Sequence, residues 1–402
     1  MASTTEREGR GAPLGLATRA YALVFVAHFM HAMSLHSYIQ ISGWLEGFGL
    51  SEVRIGWLIG VSAAMAVAIR PTLGRWMDRK GRKVVILAGG LASVIASASY
   101  LTISTVGPAL WCIRVVHGFA QAALFSAMFT LAADVTPAHR RAQGIAIFGI
   151  GGLIPMSLAN LMGDYLTRDG DYTLFFASTA VYALLGLLLT LPLAESMPQG
   201  DPDAKAPSFL EVMSTRSLAA LWLLGGGYAL ALSPCFAFLK LHVAELGVGS
   251  AGRFFSGFAG AAVVLRLGFG AVPDRVGFRR ALLPAMFSTA LGLTTLWAAQ
   301  SDAHILIAGL LCGVGHGFTF PVLSAMIVDR CDVRGRGTAI SSFTALFDLG
   351  MLVGAPAFGA LAAEFSYSGA FAASAGMLVL VIMAGGAADV RLTRGSEGVF
   401  KA

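Results

Sequence analysis

Charge is scarce in this sequence. Its 402 residues include 28 Lys and Arg and 22 Asp and Glu, 12% of the chain, about half the share of about 25% usual for soluble domains. A water-exposed domain of this length needs a larger polar surface, which excludes an ordinary soluble enzyme, a disordered chain and a coiled coil. Cysteine is scarce too. Cys112, Cys235 and Cys312 fall inside apolar runs and Cys331 at the end of one, so there is no disulfide framework. Large polar loops are missing, and with them room for a catalytic domain; no nucleophile with a base or metal signature accompanies the apolar runs, so an enzyme is not expected.

What the sequence has is apolar length. Hydrophobic residues make up 56% of it, and long, nearly uncharged runs cover 20–43, 56–73, 84–104, 108–133, 142–162, 174–193, 218–239, 254–272, 281–299, 305–328, 338–362 and 370–390. Most match the ~20 residues that cross ~30 Å of hydrocarbon. Pro155, Pro234, Pro321 and Pro356 inside them are tolerated where neighbouring helices satisfy the freed backbone groups. With twelve spans both termini share one side. Of the 28 basic residues, 21 fall on that side, four on the other (Arg54, Arg168, Lys240, Arg253) and three within spans (Arg70, Arg114, Arg266). The positive-inside rule therefore predicts cytoplasmic termini. The same count disperses the net charge of +6 over short loops, so nucleic acid is not an expected partner. The N-terminal segment mixes Glu6 and Glu8 with Arg7 and Arg10 and does not read as a signal peptide. The predicted organisation is a tail over 1–19, six spans over 20–193, a Pro- and Asp-bearing linker over 194–217, six spans over 218–390 and a tail over 391–402.

The two halves repeat. Arg70, Gly74, Asp78, Arg79, Gly81 and Lys83 recur 196 residues later as Arg266, Gly270, Asp274, Arg275, Gly277 and Arg279; His117-Gly118-Phe119 recurs as His316-Gly317-Phe318, and Asp134 and Asp329 each close a span. The expected fold class is thus all-α: a polytopic membrane protein of twelve transmembrane helices in two six-helix, pseudo-symmetric bundles. The stretch Gly74-x-x-x-Asp78-Arg79-x-Gly81-Arg82-Lys83, with its weaker second copy, resembles the signature loop of the major facilitator superfamily, and the resemblance covers essentially the whole chain. It implies that this loop, with Arg82 and Asp134, latches the cytoplasmic side of an alternating-access transporter. Physically, Gly74 and Gly270 are read as points of close helix approach, and Asp78 and Asp274 as caps and arginine partners.

Ionisable groups at membrane depth are costly and so become functional candidates. Arg114, His117 and Gln121 fall at i, i+3 and i+7 on one helix face. Arg114 begins a stretch similar to the family's R-x-x-x-G motif, which is associated with proton coupling, with His117 where a Gln is usual. His28, His31 and His36 lie in the first span. By the resemblance, spans 1, 4, 7 and 10 line the cavity, so that His31, His117 and His316 face one another. Histidine suits proton relay or metal ligation, although no Cys or carboxylate at ligand spacing joins them. Asp348 lies about eleven residues into span 11, as a proton carrier or the anchor of a cation. Arg70 and Arg266 are expected to snorkel to the cytoplasmic face. Gly149-Ile-Gly151-Gly152-Leu-Ile-Pro155 departs from the Gly-Pro pattern usual in antiporters of the family, and Gly350-Met-Leu-Val-Gly354-Ala-Pro356 offers a similar pattern with one residue inserted.

The expectation is a secondary transporter of the inner (plasma) membrane, monomeric and without cofactor. It draws on the proton gradient and moves a small organic molecule outward by antiport. Proton-coupled uptake of a sugar or organic acid, export of a metal or metal chelate, and a non-transporting receptor or scaffold are the alternatives.

Overall fold

The computed structural model describes residues 18–136, 141–195, 208–270, 272–331 and 336–399, without the side chains of 78, 141–146, 274, 336–337 and 390–399. Most of the N-terminal tail, the middle of the linker and the carboxylates of Asp78 and Asp274 therefore lie outside the described residues.

Where no water can serve the backbone, each N–H and C=O must be satisfied within its own segment, and the apolar runs become helices. Twelve long ones occupy the predicted stretches: α1 (Arg19–Ser37), α2 (Glu52–Lys80), α3 (Arg82–Tyr100), α4 (Pro108–Val135), α5 (Arg141–Leu166), α6 (Thr173–Thr190), α7 (Ala219–Ala237), α8 (Ala251–Gly268), α9 (Phe278–Trp297), α10 (Asp302–Asp329), α11 (Arg336–Phe365) and α12 (Tyr367–Val399). Ten of the described helices are long and apolar enough to cross a membrane. The other two are α8 and α9: α8 carries Arg253 and Arg266 within 18 residues, and α9 opens on Arg279 and Arg280. α8 also stops earlier than expected, at Gly268, before the short helix Val272–Val276. α1 continues through a 3-10 turn into Ile41–Glu46, and α7 breaks at Phe238 into Leu239–Leu246.

Side-chain chemistry sets the boundaries. Thr18 and Ser250 cap α1 and α8 by accepting the amides of Tyr21 and Arg253. Gly81 and Gly277 both take φ +93°, the left-handed region that any other residue enters at a cost, so the chain can turn from one helix straight into the next.

The first six helices pack chiefly on one another (α1 on α5 and α6, α3 on α4 and α6, α2 on α4), and the last six likewise (α7 on α11 and α12, α9 on α10 and α12, α8 on α10). Two seams join the sets, α2 along α11 and α5 along α8. The repeat is visible in the packing: a Cβ added at Gly118 would fall on the Ser62 carbonyl, and one at Gly313 on that of Phe258. Calling the end where α1 starts the near end, the far end is where the halves close. There Tyr38, Ile41, Leu45 and Leu58 share a buried cluster with Phe238, Leu241, Ala355 and Phe358, and Gly56 sits on the Ala355 carbonyl, where a Cβ would stand 2.5 Å from that oxygen. Near the other end a Cβ at Gly74 would meet open space. The close approach predicted for Gly74 is absent from this conformation, because α2 meets α11 tightly only toward the far end.

Candidate functional site

At mid-depth of the seam between α2 and α11 lies an ion pair. Arg70 Nε donates to Asp348 Oδ2, Nη1 donates to Ser126 Oγ at 3.1 Å and to Thr344 Oγ1 at 3.4 Å, and the guanidinium sits 5.7 Å from the centre of the Phe125 ring. Arg70 and Asp348 are only 6% and 8% exposed. The snorkelling expected of Arg70 is thereby corrected. A guanidinium keeps its charge at any accessible pH, and Asp348, ~18 Å along α11, offers a counter-charge at its depth. Gln121 is exposed one turn before Phe125 on α4.

Arg266, the repeat mate of Arg70, does not snorkel either. Its Nε is buried without a partner, and among the described residues the side chain forms no ion pair or hydrogen bond. The guanidinium reaches from α8 to α5, where a Cβ at Gly149 would stand 3.1 Å from Nη1. It lies within electrostatic reach of Tyr228 on α7 and His316 on α10. Rings cluster at His316: Tyr228 runs nearly parallel to it at 6.3 Å, and Phe258 and Phe320 lie 5.1 and 6.0 Å from it. Phe347, the residue before Asp348, lies 5.3 Å from Phe320.

The predicted meeting of His31, His117 and His316 does not occur. His31 turns away into its own half, where Gly90 and Gly186 leave room for the ring and Nε2 sits 3.3 Å from Thr190 Oγ1. His117 lies edge-on to Tyr38 at 4.0 Å. His28 does face the seam, stacked at 4.2 Å on Phe148, with its Nε2 unpartnered beside Gly152. Helical spacing predicts which residues share a face; it is silent on which neighbour that face meets. Among the described residues no three His, Cys, Asp or Glu gather as a metal site would require.

Arg114 is also turned inward. Nε donates to the Leu58 carbonyl at 2.8 Å, Nη2 to that of Ile59 at 3.4 Å and Nη1 to the Tyr100 hydroxyl at 3.3 Å. It fastens α4 to α2 and α3. Arg114→Gln is expected to destabilise the purified protein by roughly 1.5–3 kcal/mol through lost charge-assisted bonds, read as a lower melting temperature, with solute binding retained; an unchanged melting temperature and lost binding would reverse the assignment.

At the far end Asp164, missed in the sequence because it resembles an ordinary loop charge, collects three partners. Its Oδ1 accepts from Gln40 Nε2 at 2.9 Å and pairs with Lys240 Nζ at 3.2 Å; Oδ2 accepts the Gly252 amide at 2.6 Å, in the first turn of α8. One carboxylate thus ties α5 and the 3-10 turn after α1 to the helix Leu239–Leu246 and to α8. A recess of about 350 Å3 opens beside it, lined by Trp44, Glu46, Thr167, Tyr172, Lys240 and Leu241. Burial pushes the Tyr172 phenol up to about 12, against a lowering hydrogen bond from Thr167.

At the near end the signature residues bond within their own halves. Arg82 Nε meets Asp134 Oδ2 at 3.1 Å and Nη1 donates to the Met77 carbonyl, joining α3 to α4 and the end of α2. Arg330, beside the exposed Asp329, pairs with Asp389 at 2.7 Å, and Arg279 donates to the Gly386 carbonyl at 2.5 Å. Arg79 and Arg275 are exposed.

Known proteins share this architecture. The human organic anion transporter MFSD10 (TETRAN) superposes with a TM-score of 0.70 at 16% identity, covering 91% of this chain and 98% of that one. The nucleoside transporter NupG gives 0.69 at 14%, covering 92% and 99%. In sequence, an uncharacterized MFS-type transporter of Pseudomonas aeruginosa strain LESB58 is 25% identical over 349 residues, 84% of this chain and 85% of the relative. YuxJ of Bacillus subtilis strain 168, also described as an uncharacterized MFS-type transporter, is 24% identical over 349 residues, 84% and 88%. Residues 20–271 and 228–393 match the family model described as Major Facilitator Superfamily. The all-helical fold, the helices able to span a membrane and this match agree: the chain is a multi-pass membrane transporter of small molecules and belongs to the Major Facilitator Superfamily.

Proposed function

We propose that the chain is a proton-coupled exporter of a small organic compound in the cytoplasmic membrane, with its near end in the cytoplasm, and that Asp348 is its proton site. The observation that carries this reading is the buried pair between Arg70 and Asp348, which bridges the two halves on α2 and α11. A carboxylate there has two ways to lose its ionic tie: a proton on Asp348, or a solute group competing for it. Either loosens the seam at mid-depth, so occupancy of the site and separation of the halves become one equilibrium. The closed far end is the state in which the site loads from the near end; the Asp164 cluster is then the outer gate, and the loops of Gly81 and Gly277 belong to the inner one. The 21 to 4 distribution of basic residues supports the orientation. A second reading, proton-coupled uptake of an organic acid, is favoured by one feature, the unpaired Arg266.

The test is full-length protein in liposomes with a trapped pH dye and imposed solute gradients. Solute-dependent proton flux is expected, and it is expected to vanish in Asp348→Asn while solute binding persists. Undiminished flux in that variant would overturn the assignment of Asp348. An inward solute gradient that alkalinises the lumen marks exchange; one that acidifies it marks the second reading.

A further inference from the structure

The repeat that relates Arg70 to Arg266 is broken at their partners. Arg141 and Arg336, and Phe148 and Phe343, are 195 residues apart, while the two arginines are 196 apart. Either offset sets Asp348 of α11 against Leu153 or Gly152 of α5. Neither can pair with a guanidinium. The first arginine therefore has a carboxylate from the facing half, and the second faces glycine.

A guanidinium with a buried, unpartnered Nε is costly to keep, and other unpartnered polar atoms lie on neighbouring helices. Gly149 and Gly152 fall one turn apart on the same face of α5. Arg266 approaches that face from one half, at Gly149, and His28 approaches it from the other, at Gly152. His28 Nε2 and His316 Nδ1 are, like Arg266 Nε, buried without partners. The neighbouring side chains on α7, α8 and α10 are aromatic: Tyr228 and His316 nearly parallel, Phe258 and Phe320 against His316, and Phe347, the residue before Asp348, against Phe320. An unfilled guanidinium N–H with its fixed positive charge, two unpartnered imidazole nitrogens and aromatic faces select a planar organic anion. Arg's fork matches a carboxylate with two parallel bonds, and rings stack on the apolar body.

Resting on the transport reading above, we propose that Arg266 anchors the anionic group of the transported solute, an organic carboxylate with an aromatic body seated between α5 and the ring cluster of α7, α8 and α10. The carboxylate supplies the counter-charge that the repeat omits. Glycine at 149 and 152 leaves room for Arg266 and His28 to reach α5, since a Cβ there would stand 3.1 and 3.4 Å from their nitrogens.

Binding is measured on the purified full-length protein by tryptophan fluorescence and calorimetry. The probes are benzoate, 4-hydroxybenzoate, 2-naphthoate and indole-3-acetate, each beside its neutral amide. At least one acid is expected to bind tenfold or more tightly than its amide. Arg266→Gln is expected to erase that preference and leave amide binding in place, and Arg266→Lys to restore part of it. Because Arg266 holds no partner among the described residues, Arg266→Gln is expected to melt no lower than the parent, which separates a ligand role from a structural one. No acid preferred over its amide, or an acid preference that survives in Arg266→Gln, overturns the proposal. The two readings fail separately: solute-driven proton flux lost in Asp348→Asn together with no anion preference removes the anchor alone, and an Arg266-dependent anion preference with full flux in Asp348→Asn removes the proton site alone.

Discussion

Asp348→Asn is expected to destabilise the purified protein by about 3–5 kcal/mol, more than Arg70→Gln does, even though the two variants cut the same ion pair. The asymmetry follows from what each leaves behind. Without the Asp348 carboxylate, the Arg70 guanidinium stays charged and 6% exposed, left with the hydroxyls of Ser126 and Thr344, the Phe125 ring and the neutral amide oxygen of the new Asn, none of which carries a counter-charge. It cannot shed its proton. Without Arg70, Asp348 can take up a proton and become a neutral acid, a much cheaper group to bury. The double variant Arg70→Gln, Asp348→Asn removes both charges and is expected to recover most of the loss in melting temperature while remaining unable to couple protons. Equal losses in the two single variants, or a double variant worse than either, would show that the pair does not act as a unit.

Asp164→Ala is expected to open the far end. One carboxylate there holds a side-chain amide, an ammonium and a backbone N–H from segments of both halves, and it lies at the N-terminus of α8, where the helix dipole adds to its hold. Hydrogen bonds to a charged group are worth about 1.5–3 kcal/mol each. Losing a net of about 2 kcal/mol would shift a two-state balance about 30-fold. Leu241, 2% exposed within the shared far-end cluster, reports this. With Cys112 replaced by Ser, a cysteine placed there as Leu241→Cys is expected to react with a membrane-impermeant maleimide at least tenfold faster when Asp164→Ala is added. Equal rates would mean that the apolar cluster, not Asp164, keeps the far end shut.

Much of the fold was legible because lipid leaves few options: a run of about 20 apolar residues has to be a helix, and only the ends were displaced, as at Phe238 and Gly268. Glycines 81 and 277 were legible as signature positions and proved to be turns with positive φ. The site was half legible. Asp348 and Arg114 stood out as charges at depth, but depth does not reveal direction. Arg114 faces the backbone of α2, and His31 faces α6. Arg70 and Arg266 were assigned to the near-end surface because each lies one turn before a signature glycine, where a long side chain ordinarily reaches water. Their counter-groups sit 278 residues away for Arg70 and nowhere among the described residues for Arg266. Asp164 and Lys240 carried no signal beyond a loop position.

The order of residues therefore dictates solvent, helices, orientation signal and internal repeat, since each depends on hydrophobicity and spacing along one segment. Pairing is different. Whether an arginine at depth meets a carboxylate, a helix carbonyl or a bare glycine depends on which two helices cross and at what height. Only the packing of α2 on α11 and α5 on α8 decides that two equivalent arginines end in opposite circumstances, one neutralised across the seam and one left with donors to fill.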